Sequence, residues 1–193
     1  MLRTLCFPLL VAVLTASPAW SEPRPFVTAS GKSSAAFQAT FPLGDFTGTT
    51  DDVFGEVSVD PQNIPSGVSG SVTIRSASLK TGIAGRDRDL RKTLEVETHP
   101  VIRFTVLDVG ASFPSLAEKV DTALTINGSL SIRGVERSIT LTGRARIQEG
   151  QLWVRGEGTL ALSQYGVTPP KKFFLAVGDT VRISFDSLLA PKQ

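Results

Sequence analysis

Cysteine is nearly absent from this chain of 193 residues: Cys6 is the only one, and it lies in a leader expected to be removed on export. Arg3 gives that leader a positive start, Leu5 to Leu14 an apolar stretch too short to span a bilayer, and Ala19-Trp20-Ser21 a cleavage pattern. Residues 1–21 are therefore read as a signal peptide cut before Glu22. The mature chain then has no thiol, which excludes disulfides, thiolate metal sites and cysteine nucleophiles. Its stability has to come from packing.

Histidine is equally scarce. His99 is the only one, it precedes Pro100 in a turn entering a strand, and nothing indicates a partner, so it is read as a turn residue and not a general base. One histidine and no cysteine leave too few donors for a transition-metal site. Asp51-Asp52 and Asp60 lack the regular oxygen spacing of a calcium loop and are read as turn residues. No Gly-x-Ser-x-Gly elbow surrounds a serine, and Ser129 and Ser163 fall in strands. The expectation is no catalytic residue, no metal site, no covalently required cofactor and no enzymatic activity. Charge of one sign is also lacking: Lys plus Arg number 20 against 18 Asp plus Glu, interspersed along the chain, which argues against a nucleic-acid partner. No later apolar run is long enough for a membrane span.

What the mature chain does have is period-two alternation in short segments separated by Gly, Pro, Asn and Asp, the pattern of antiparallel strands. The segments carry Phe37, Ala39, Phe41 and Leu43; Val53, Gly55, Val57 and Val59; Val72 and Ile74; Ile102, Phe104 and Val106; Leu124, Ile126, Gly128, Leu130 and Ile132; Ile139, Leu141, Gly143, Ala145 and Ile147; Leu152, Val154, Gly156, Gly158, Leu160 and Leu162; and Val181, Ile183 and Phe185. That makes eight strands. Arg133-Gly134-Val135-Glu136 and Gln148-Glu149-Gly150 are short enough to be hairpin turns. Between the third and fourth segments a helix is expected over roughly 87–96, with Leu90 and Leu94 at i and i+4, stopped by Pro100. A weaker helical turn is expected near 115–119 and a fixed loop at 167–172 around Pro169-Pro170. Residues 22–32, with Pro23, Pro25 and Gly31, read as a flexible lead to a single domain over 33–190.

The opposite face of these strands carries Arg75, Arg103, Arg133, Arg137, Arg144, Arg146, Arg155 and Glu157. An outward apolar face would suit a membrane barrel, but apolar residues turned inward and arginines in water describe a soluble one. The fold class is all-β, an eight-stranded antiparallel lipocalin-like barrel with one helix. Such a barrel is just wide enough to be filled by its own side chains or to hold one small ligand. Gly128, Gly143, Gly156 and Gly158 stand on the apolar face, where they either clear a cavity or let the strands coil. Leu90 and Leu94 either form a lid or plug the barrel. The run Arg86-Asp87-Arg88-Asp89-Leu90-Arg91 suits an anionic head group, although capping and solvation explain it more simply. Trp153 alternates onto the polar face, where it is either exposed or covered by the N-terminal segment.

Ser78-Leu79-Lys80-Thr81-Gly82, then Arg86 to Arg91, then His99-Pro100-Val101-Ile102-Arg103-Phe104, resembles the YceI-like family in order and spacing. The likeness continues through Leu130-Ser131-Ile132-Arg133-Gly134-Val135 and Ile139-Thr140-Leu141 to Tyr165-Gly166-Val167 and the closing segment from Val181 to Phe185. It departs at the first hairpin, where Asp45-Phe46-Thr47-Gly48-Thr49 replaces the family's histidine-containing stretch. The resemblance implies a periplasmic protein with a lipocalin-like barrel that holds a polyisoprenoid, such as an isoprenoid quinone or polyprenyl lipid. The leading expectation is a carrier for such an apolar molecule, lying among Phe37, Ile74, Leu90, Leu94, Phe104, Ile126, Gly128, Leu141, Gly143, Val154, Gly156 and Phe185. Its rival is a filled barrel acting as a periplasmic interaction or stress-response accessory, with a protein partner or as a homodimer.

Overall fold

The computed structural model of the protein describes residues 22–168, 171–172 and 175–192; the leader assigned to 1–21 and Pro169-Pro170 lie outside these. The strands in chain order are β1 (Arg24–Ala39), β2 (Phe46–Thr50), β3 (Val53–Val59), β4 (Val68–Arg75), β5 (Val101–Ala111), β6 (Thr122–Ile132), β7 (Val135–Gln148), β8 (Gln151–Ala161), the short β9 (Lys171–Lys172) and β10 (Leu175–Ala176), and β11 (Thr180–Pro191). The helix α1 spans Ala84–Thr93. Eight long strands form a closed antiparallel barrel in the order β1-β3-β4-β5-β6-β7-β8-β11, with β11 pairing back onto β1. Among the described strands closure leaves no long unpaired edge.

Alternation decides which way the strands face. In β6, Thr122, Leu124, Ile126, Gly128, Leu130 and Ile132 are buried while the residues between them are exposed or half-buried. Arg75, Arg103, Arg137, Arg144 and Arg155 are exposed on the outer surface. Two hairpins close on two-residue turns, Arg133-Gly134 between the pair Ile132 and Val135, and Glu149-Gly150 between Gln148 and Gln151. All four turn residues have positive φ, the arrangement whose twist matches that of paired strands.

Several expectations need correction. β1 begins at Arg24, so the segment read as a flexible lead is strand. Its first residues, Arg24 to Val27, pair with β3, and Phe26 to Thr28 pair with β11. The register shifts between Thr28 and Ser33, where Gly31 takes φ 67°, and beyond it Ala35 to Ala39 pair with β2. One long strand is thus bordered on one side by two short ones, β3 and then β2. They are separated at Asp51-Asp52, where the Asp52 N–H donates to Thr50 Oγ1 (3.0 Å) and the carboxylate takes Arg75 (2.7 Å). The extra strand β2 places α1 between the fourth and fifth strands, not the third and fourth. The helix also ends before Thr98 and Pro100 are reached, because Glu95 adopts φ 50° and turns the chain. Phe41 and Leu43 lie in the turn after β1, not within it. Residues 115–119 form no helical turn: Ala117 bridges Val120 and Glu118 bridges Ile147.

The two ends of the barrel differ. At one end the 3₁₀ turn Ile64–Ser66 and the 112–121 connection fold across the opening, joined by Ile64 N–H to Pro114 O (2.8 Å) and Leu116 N–H to Pro61 O (2.7 Å). Phe26, Val59, Ile64, Leu152 and Leu189 pack beneath them. At the other end α1, the 40–45 turn and Leu162, Val167 and Val177 stand around the rim.

Candidate functional site

The barrel is not filled. An interior cavity of about 840 Å³ runs through it and opens at the helix end, within the range of roughly 300–1,000 Å³ usual for small-molecule sites. Its wall is apolar along almost its whole length, with polar groups confined chiefly to Arg86, Arg88, Asp89 and Thr93 at the rim and Ser184 and Ser187 in β11. Leu43 is 79% exposed and Ile83 53% exposed, yet both border the cavity. The rim therefore combines exposed apolar side chains with the polar residues of α1.

Sequence and local bonding fix the rim. Leu79 is buried against Leu94 and Val181 in one apolar cluster. Next to it, Lys80 exchanges two backbone hydrogen bonds with Thr49 (2.9 and 3.0 Å), and Thr50 Oγ1 lies 2.6 Å from Ser78 Oγ. Thr81 donates through its N–H and its hydroxyl to Asp87 Oδ1 (2.7 and 2.6 Å). These bonds, with Arg91 and Arg86 nearby, hold the Asp87 carboxyl below its ordinary 3.8. Asp87 thus tethers the helix to the preceding turn and does not cap the helix N-terminus. No residue of α1 is buried; Leu90 is half-buried facing the cavity and the buried Leu94 follows the last turn. The helix sits over the opening as a partial cover, not a plug. Arg86 lies 4.4 Å from the centre of the Phe46 ring, which meets Phe37 edge-on (6.2 Å between centres).

A family model described as the YceI-like domain matches residues 26–188. The chain belongs to the YceI-like family. Comparison with curated proteins gave no match. Among solved structures, BcnA of Burkholderia cenocepacia superposes with a TM-score of 0.71 at 18% identity, covering 84% of this chain and 99% of that one. A polyisoprenoid binding domain from Saccharophagus degradans, described as implicated in plant cell wall breakdown, gives 0.66 at 16% identity, covering 86% and 98%. The YceI protein of Campylobacter jejuni gives 0.59 at 18% identity, covering 76% and 84%. At these identities the likeness is one of fold.

In this YceI-like barrel, Phe37, Ile74, Leu90, Leu94, Phe104, Ile126, Leu141, Val154 and Phe185 all border the cavity; Gly128, Gly143 and Gly156 do not. The glycines leave no void. A Cβ on Gly128 would meet the Phe104 ring, one on Gly156 the Phe185 ring, one on Gly158 the Leu141 side chain, and one on Gly143 the backbone of Arg155 and Gly156. The rim residues Leu43, Phe46 and Ile83 were not among the expected lining because they belong to turns and a short strand, where alternation carries no signal.

The remaining candidates resolve as structural. His99 is half-buried, with Nε2 3.8 Å from Glu95, beside the Gly134 turn. Arg133 donates to the Gly166 carbonyl (2.7 Å) and pairs with Glu95. The Asp179 carboxylate accepts from the N–H and hydroxyl of Ser163 (both 2.7 Å), which lowers its pKa, and burial raises that of Tyr165. Trp153 lies under Arg146 (4.0 Å) and Arg155 (5.1 Å) and donates to Asp186 (2.8 Å). It is covered by arginines of its own sheet, not by the N-terminal segment. Among the described residues no cluster of His, Cys, Asp or Glu is arranged to hold a metal ion.

Proposed function

We propose that this YceI-like protein is a periplasmic carrier that holds an isoprenoid quinone, a polyprenyl lipid or a similar apolar chain inside its barrel and sequesters or moves it without chemical change. The observation that carries the reading is the apolar cavity of about 840 Å³, reached from one end past a rim of apolar and charged side chains. Burial of a hydrocarbon contributes roughly 0.8 kcal/mol per CH₂, so a long chain can offset the cost of its own ordering with few polar contacts. The S. degradans neighbour, named for polyisoprenoid binding, supports the same ligand class. Export rests on the leader pattern at 1–21.

Thermal unfolding of the mature chain with and without added ubiquinone-8 or a long polyprenol tests the proposal. A midpoint that rises with ligand concentration supports it. A midpoint unchanged by either ligand would count against a carrier role and favour an accessory protein that works through its outer surface.

A further inference from the structure

We infer that Gly48, Gly128 and Gly156 are seats on which the rings of Phe37, Phe104 and Phe185 lie flat against the barrel wall, and that these seats set the bore of the cavity and the length of chain it accepts. The inference deepens the carrier reading and rests on it.

An eight-stranded barrel has barely enough width for either its own side chains or one ligand. Whether a few phenylalanines point to the axis or lie along the wall therefore decides which of the two fits. A ring can lie along the wall only where the neighbouring strand presents no Cβ. At Gly48, directly opposite Phe37, the three atoms nearest a Cβ position are all in the Phe37 ring, none more than 3.0 Å away. At Gly156, directly opposite Phe185, the ring atoms Cε1 and Cζ fall at 2.7 and 2.9 Å. At Gly128 the Phe104 ring atoms Cζ and Cε2 occupy the same place, with the Thr105 carbonyl oxygen at 2.6 Å.

The three seats belong to different strand pairs, β1 with β2, β8 with β11 and β5 with β6; because β1 and β11 are themselves paired, the first two are neighbours and the third lies elsewhere around the wall. All three rings border the cavity, and all three are half-buried. A methyl group at a seat cannot share that space, since real Cβ atoms essentially never come that close to another heavy atom. The free volume beside each ring is the cavity itself, so a displaced ring moves into the path of the ligand. Gly143 contrasts with the seats, because the nearest atoms there are backbone and a side chain would part the strands.

The test uses the full mature chain with farnesol as a short probe and solanesol as a long one, and the variants G48A and G156A. At Gly48 the three nearest atoms all belong to the Phe37 ring, so G48A displaces the ring before it disturbs the backbone. Binding of solanesol should weaken about tenfold relative to farnesol in each variant, the loss expected if a few CH₂ groups no longer fit. Adding F37L to G48A, or F185L to G156A, should restore the wild-type ratio. Crystal structures of the variants should show the ring lifted off its seat into the cavity, a readout that needs no ligand. Unchanged solanesol-to-farnesol ratios in folded variants, or rings still on the wall, would overturn the inference while leaving the carrier reading intact. A wild-type protein that binds neither prenol would overturn both.

Discussion

The two ends of this barrel are built from similar apolar residues and do opposite things. At the end away from the helix, Ile64 is 2% exposed and the chain crosses the opening twice, tied by backbone hydrogen bonds at Pro61 and Pro114. At the helix end, Leu43 and Ile83 remain largely exposed and α1 buries none of its own residues. Apolar content alone therefore does not tell a core from an entrance. The difference lies in whether the segments crossing the opening are tied to one another and pack their apolar side chains down onto the interior. The closed end anchors the fold and the open end leaves the cavity reachable.

The largest expected effect is at the closed end. Ile64→Ala should destabilise the protein by about 2–5 kcal/mol in urea unfolding, the usual cost of emptying a well-packed site. Leu90→Ala at the helix end should cost about 1 kcal/mol or less, because that side chain already faces the cavity, yet it should speed exchange of a bound prenol measured by stopped-flow displacement. Equal destabilisation at both positions would erase the distinction between the ends. The smallest effect concerns acid. Asp87 has a depressed pKa in the folded state, so the unfolded chain takes up its proton first as pH falls. The stability this group contributes is complete above its ordinary 3.8 and is lost as pH drops below it toward the folded value. Thermal midpoints measured from neutral to acid pH should show that loss in the wild type and a shallower one in Asp87→Asn.

How much of this was legible in the sequence follows from the kind of signal each part carries. β6, β7 and β8 alternate cleanly because one face meets the interior and the other meets water, and both two-residue turns announce themselves through Gly134 and Gly150. On those strands Ile126, Leu141 and Val154 border the cavity, whereas Gly128, Gly143 and Gly156 do not. The first half of β1 was hidden because it contains Pro25, sets its two large apolar residues Phe26 and Val27 side by side and changes partner near Gly31, so no single face persists. β2 was missed, the second strand being expected to begin only at Val53, because Phe46 to Thr50 holds a single large apolar residue and so shows no alternation.

The glycines show the limit most clearly. Alternation places Gly128 and Gly156 on the inner face, but nothing in a single strand says whether the missing side chain is a void or the berth of a ring from the next strand. That distinction depends on register between segments far apart in sequence, Phe185 with Gly156 for example. The rim has the same character, since Leu43 and Ile83 come together only through the closure of the barrel.

The central claim is that the cavity is occupied by an apolar chain in the cell. It is tested most directly by mass spectrometry of an organic extract from protein purified without detergent from its native cells. The account predicts a stoichiometric isoprenoid or other long-chain lipid in the extract. Protein that is folded, exported and free of any lipid would contradict it.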